Sequence, residues 1–187
     1  ICCVLEMHHD PMLLKTFAAY HCKHVDPKYG NTSVLRRLPF FRDNCNGVFA
    51  LDRLPCTVRQ FKHGTKKLLY DVNVKNEFSL LIGHYSLHAS VRQQQFEEIA
   101  QLVKGRKRAI VCGDFNDFGG SKELNSLIKH SNLRIVRPAH NQTFPACHPK
   151  KPLDLFLCSG DIVDVHAEVL NNARLSDHLP VLLTVTV

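Results

Sequence analysis

Residues 109–117 read AIVCGDFND. Ala109 to Cys112 form an unbroken apolar run, and a strand written this way is covered on both of its faces. A strand that alternated would have one wet face. The unbroken run therefore places this segment inside a layered α/β structure. Its end is polar, with Asp114, Asn116 and Asp117 packed into one turn. Asp and Asn often terminate strands by making a turn of their own. A carboxylate and an amide two residues apart would also suit a metal-bound phosphate.

Outward from this strand the hydrophobic period switches between two values. Phe96, Ile99, Ala100 and Val103 recur at helical spacing across residues 90–105, with Gly105 as the stop. Residues 121–130, SKELNSLIKH, predict a second helix with Ser121 as cap and Glu123 in its first turn. Nearer the start, ICCVLEM reads as a strand ending at Glu6 and Met7. DPMLLKTFAAYH (10–21) predicts a helix with Asp10 as N-cap and Pro11 at its first position. Residues 23–45 are mixed, with DPKYGN (26–31) a loop. Further strands are expected at 47–51, 56–61, 67–74, 78–85, 153–159, 162–170 and 180–187. In the segment 162–170, Val163, Val165, Ala167 and Val169 alternate with Asp164, His166 and Glu168, which predicts one exposed face. Strand–helix–strand units mixed with hairpin-like strands indicate an α/β sandwich of stacked sheets with covering helices.

The chain has 187 residues, 44% hydrophobic and 22% charged, enough for a substantial core and most simply one domain, 1–187. No apolar run approaches a membrane span, and no stable membrane insertion is expected. The start lacks the basic and long apolar regions of a signal peptide. Eight Cys occur without a zinc-type CxxC pair, which favours reduced thiols and a cytoplasmic setting. HCKH (21–24) reads as surface rather than a metal cluster. Twenty-four basic residues against 17 acidic give a net charge of +7, a trait that favours polyanions and equally favours solubility.

Polar residues stand at the ends of, or beside, five apolar strands: Glu6, His84, Asp114 with Asn116, Asp154, and Asp177 with His178. Each has a plain structural explanation. Glu6 could cap a following helix, and His84 could be a hydrogen-bonded core residue. Asp114 and Asn116 could make an Asx turn, Asp154 could pair with Lys150 or Lys151, and Ser176–His178 could be an ordinary turn. Strand ends are also where sites assemble, because strands fix positions while loops stay wet.

The segments VLEM (4–7), IGHYSLHASVRQQQ (82–95), CGDFND (112–117), TFPACHPKKPLDLFLC (143–158) and LSDHLPV (175–181) follow one another as do the motifs of the endonuclease/exonuclease/phosphatase superfamily. The chain resembles that group of metal-dependent phosphoesterases from Glu6 to Val181, most specifically in GDFN and SDHLPV. NGVFALDRLP (46–55) resembles the family's glycine-containing strand, with Asp52 where a Ser is usual.

The resemblance implies a four-layer α/β sandwich: two packed mixed β-sheets flanked by helices. It implies a Mg2+-dependent phosphodiester hydrolase, with Mn2+ as a substitute and nucleic acid as the substrate. Glu6 and Asp177 would hold the metal. Asp114 would align and deprotonate the attacking water, with Asn116 donating to the phosphate. His178 would contact the scissile phosphate, oriented by Asp154, and His84 would protonate the leaving oxygen. The family's N-terminal strand, which ends in an Asn, lies ahead of its Glu. With five residues before Glu6, the resemblance implies an N-terminally incomplete domain. Three other readings stay open: a sphingomyelinase, an inositol-phosphate phosphatase, or a non-catalytic, basic nucleic-acid-binding module. The basic runs KGRKR (104–108) and HPKK (148–151) favour nucleic acid.

Overall fold

A computed structural model gives the fold, and it describes residues 1–8, 15, 20–29, 34, 38, 44–119, 122–172 and 176–186. Of the helix expected at 10–21 only Lys15, Tyr20 and His21 are described, and the cap at Ser121 lies outside the described residues.

A six-stranded sheet organises the molecule: β4 (Cys56–Gln60), β5 (Leu68–Val74), β6 (Phe78–His84), β7 (Ala109–Asp114), β8 (Leu133–Val136) and β9 (Asp154–Ser159). Their spatial order is β4-β5-β6-β7-β9-β8. β6 and β7 are parallel and the other neighbours antiparallel, so the sheet is mixed. The parallel connection requires a crossover, and α1 (Ala89–Val103) supplies it.

β7 is covered on both faces, as its unbroken apolar run predicts. Ala109 and Val111 pack with Phe96, Ile99 and Val103 of α1 and with Leu124 and Leu127 of α2 (Lys122–His130). Ile110 and Cys112 face the other way, into a core shared with Tyr70, Val72, Leu80 and Ile82. Period-two alternation of side chains thus builds two cores from one strand.

The layer beyond that second core is formed by two smaller antiparallel sheets. One has the order β1-β3-β2, from β1 (Cys2–His8), β2 (Cys22–Pro27) and β3 (Asn44–Ala50). The other pairs β10 (Val165–Val169) with β11 (Val181–Val185). Val48 from the first and Ala167 from the second join the same core against the six-stranded sheet. The architecture is therefore a mixed α/β sandwich, with two packed β-layers and helices on the outside.

Two strands escape the sequence reading. β2 occupies Cys22–Pro27, where a mixed region running into a loop is expected, and β8 is a four-residue strand. Both are edge strands, where polar residues are tolerated and Pro is allowed, so the hydrophobic signal is weak. Val163 is 78% exposed and precedes β10, so the alternation begins at Val165.

Candidate active site

Parallel register places His84 opposite Asp114 at the adjoining ends of β6 and β7, and antiparallel register places Asp114 opposite Asp154 at the start of β9. Three strands thus deliver three candidate residues to one rim. Gly83 and Gly113 form the preceding pair.

Asp114 and Asn116 do make an Asx turn: the Asn116 N–H donates to Asp114 Oδ1 at 2.9 Å. Asn116 adopts a left-handed φ of 50°, which lets its side chain double back. Its amide donates to Asp114 Oδ2 at 3.0 Å and to the Tyr85 carbonyl at 2.9 Å. Both amide hydrogens are committed, so in this arrangement Asn116 fixes the carboxylate instead of reaching a phosphate. The turn and the site are the same object.

His178 Nδ1 lies 2.7 Å from Asp154 Oδ2, the pairing that the family resemblance implies; neither Lys150 nor Lys151 is the ion-pair partner of Asp154. Asp154 is held in turn by Thr143, a fully buried side chain whose Oγ1 accepts from the backbone N–H groups of Leu153 and Asp154. Ala146 N donates to the Asp177 carbonyl, and Leu179 N to that of Thr143, so the 143–146 segment fastens the His178 loop from both sides. The Phe144 ring stands 4.9 Å from that of His178, centre to centre.

His84 lacks a recognisable partner in the sequence, and the structure supplies two carboxylates. Its Nε2 is 3.2 Å from Asp114 Oδ2. Its Nδ1 is 3.2 Å from Glu6 Oε1, though out of hydrogen-bond alignment. Glu6 sits at a break in the β1–β3 register, with φ 58°, and its N–H donates to Asn46 Oδ1. It faces His84 and two lysines: Lys28 Nζ donates to its Oε1, and Lys66 Nζ lies 3.5 Å from the same oxygen. Lys66 also touches His84 Nε2. Nothing in the spacing of the sequence marks these lysines. Gln95, fully buried on α1, anchors the surroundings by accepting from Ser86 N–H and donating to the carbonyls of His63 and Lys66.

Asp114, Asp154 and His178 each offer a ligand atom within 4.8 Å of the others, making a candidate metal-binding cluster. Asp177 stands beside it, exposed, its carboxylate accepting from Ser176 Oγ at 3.0 Å. Glu6 connects to the cluster through His84.

The local fields give these groups distinct charge states. Burial pushes the pKa of His178 down, but the Asp154 hydrogen bond and the charges of Asp154, Asp114 and Asp177 outweigh it, for a net rise. Burial dominates at His84 and lowers its pKa, against the opposing pull of the Asp114 and Glu6 carboxylates. Burial opposes ionisation of Asp114, yet the hydrogen bond and charge of His84, then the charge of His178 and the Asn116 backbone hydrogen bond, leave it below the usual carboxylate value. A raised folded-state pKa stabilises the protein below the unfolded value of about 6.5, a contribution lost as pH rises through the folded value. We therefore expect Asp154→Asn to lower the His178 pKa in an NMR titration of the metal-free protein and to remove that stabilisation at pH 6. An unchanged titration would refute the role given to Asp154.

The sequence matches the family described as Endonuclease/Exonuclease/phosphatase over residues 1–178, and the chain belongs to that family of metal-dependent phosphoesterases. No curated protein matches it significantly. Solved structures share the fold. A two-site mutant of beta toxin from Staphylococcus aureus, with bound magnesium ions, is 16% identical with a TM-score of 0.64, covering 94% of this chain and 81% of that one. Truncated TDP2 from Caenorhabditis elegans is 13% identical with a TM-score of 0.65, covering 97% and 81%. The human Nocturnin catalytic domain, with a bound sulfate anion, is 18% identical with a TM-score of 0.64, covering 97% and 78%.

Proposed function

We propose that this chain is a single-domain, Mg2+-dependent phosphodiester hydrolase that acts on DNA or RNA. The observation that carries the reading is one continuous constellation: Glu6, His84, Asp114, and the Asp154–His178 pair.

The donor set fits the metal that the family implies. Mg2+ and Mn2+ favour carboxylate oxygens, and Asp114 and Asp154 present two of them, with Glu6 and Asp177 at the margins. His178 is the weaker ligand for such an ion, because its raised pKa favours the imidazolium, which has no lone pair to give. When bound, a divalent ion offsets the charge on the phosphate oxygens and makes water more acidic. The magnesium in the related beta toxin structure agrees with this choice.

The remaining steps belong to side chains. Asp114, ionised and held by Asn116, accepts the proton of the attacking water. His178, kept cationic by Asp154, donates to a phosphate oxygen. His84 is in reach of Asp114 and Glu6, and with its pKa lowered by burial it is placed to relay a proton between them.

A nucleic-acid substrate is supported by the net charge of +7 and by exposed Lys150 and Lys151, four and three residues before Asp154. The other basic run gives less support. KGRKR precedes the far end of β7, about 20 Å along the strand from Asp114. Arg106 there is tied to Asp71. The test compares turnover of single-stranded DNA, RNA, sphingomyelin and a soluble phosphomonoester, with Mg2+ and with EDTA. EDTA-sensitive cleavage of a nucleic acid, faster than of the other two, is expected. Preference for the lipid or the monoester would reassign the substrate, and salt-sensitive binding without turnover would make the chain a binding module.

A further inference from the structure

The two lysines at Glu6 are unlike ordinary surface cations. The Lys28 side chain is only 5% exposed and that of Lys66 only 13%, whereas Glu6 is 46% exposed. Buried ammonium groups need compensating charge, and both of these converge on a single carboxylate oxygen. They are also held there by backbone. Lys28 N–H donates to the Asn44 carbonyl, an isolated bridge joins Tyr29 to Lys66, and Gln95 grips the Lys66 carbonyl. The Lys28 ammonium additionally lies 5.1 Å from the centre of the Tyr29 ring. Two buried ammonium groups thus share the half-exposed Glu6 carboxylate, and Lys66 also feels the charge of Asp114.

Resting on the phosphoesterase reading above, we propose that Lys28 and Lys66 are phosphate ligands. Glu6 neutralises them only until a divalent cation takes over that carboxylate. A cation arriving alone must bind beside two ammonium groups that have lost their counter-ion, which weakens it. A phosphate arriving alone meets Glu6 and Asp114, which weakens it too. Together they complete the charge balance: the cation takes the carboxylates, and the phosphate oxygens take the lysines. Metal and phosphate therefore bind cooperatively, and by linkage each raises the affinity of the other by the same factor. The arrangement disfavours a metal-loaded site in the absence of a phosphate group.

The test is Mn2+ affinity, read from the electron paramagnetic resonance of the free ion, with and without inorganic phosphate and corrected for the complex formed in buffer. In the wild type, phosphate is expected to tighten Mn2+ binding within the range of about 5- to 150-fold typical of coupled sites. Lys28→Met is expected to tighten binding of Mn2+ alone by about tenfold, toward the lower end of the same range, and to reduce the phosphate effect toward one. Lys66→Met, at a more exposed side chain outside the strands, carries the same test should Lys28→Met fail to fold. A purely structural role for the lysines predicts unchanged or weaker Mn2+ binding, and that result in both variants, or no phosphate effect in the wild type, overturns the proposal. Binding that disappears in Asp154→Asn yet ignores Glu6→Gln and both lysine variants overturns this proposal alone. Wild-type protein that binds no Mn2+ overturns the phosphoesterase reading as well.

Discussion

Turnover by the Asp114→Asn protein is expected to fall by about 10²- to 10⁴-fold, the range associated with losing a positioned proton acceptor. The substitution keeps shape and removes charge. The Asn116 N–H still finds an oxygen at the first carboxamide position, so the turn survives. The second position can then present an amide N–H₂ toward the Asn116 amide, where a carboxylate oxygen had received a hydrogen, and toward His84 Nε2, 3.2 Å from that oxygen. Water loses a buried, ionised acceptor that is tied to His84 and near the Asp154–His178 pair. Steady-state kinetics at saturating Mg2+, with circular dichroism to establish the fold, measure the effect. Activity within about threefold of the wild type, far short of that range, would remove Asp114 from proton transfer.

The second large effect is on the fold itself. Gly113 has φ 129°, and a Cβ built there would lie 1.8 Å from the Gly83 carbonyl oxygen on the adjoining strand. That contact is backbone, so no rotamer relieves it. Strands β6 and β7 would be forced away from each other at the position just before the His84–Asp114 pair. Gly113→Ala combines a disfavoured backbone with overpacking, and we expect a loss of about 3–5 kcal/mol. For a domain of this size that lowers Tm by roughly 6–20 °C. Differential scanning calorimetry measures it. An unchanged Tm would show that the two strands separate freely. Because the register carries the site, any folded fraction should also show a displaced His84 ring signal.

The unequal legibility of these features has physical causes. β7 is readable because a strand buried on both faces must be apolar at every position. α1 is readable because Phe96, Ile99, Ala100 and Val103 must share one stripe. β2 is obscure because an edge strand accepts Lys23, His24, Asp26 and Pro27 without penalty. His84, Asp114 and Asp154 stand at strand ends, Glu6 at a break within β1 and His178 in the loop before β11, and the structure brings them to one rim. Chemical role was harder to read than position. The two hydrogens of the Asn116 amide are allotted by a carbonyl on Tyr85, thirty-one residues away. Likewise, Lys28 and Lys66 meet Glu6 only through the contact of segments remote from it in sequence. Local spacing carries no trace of such encounters.

The hydrogen bonds around Asp114 set a limit on its valence. A carboxylate has roughly four lone-pair directions. The Asn116 backbone, the Asn116 amide and the His84 ring address three of them. About one bearing remains for an incoming partner. While these bonds persist, Asp114 can grip an ion or receive a proton, one at a time.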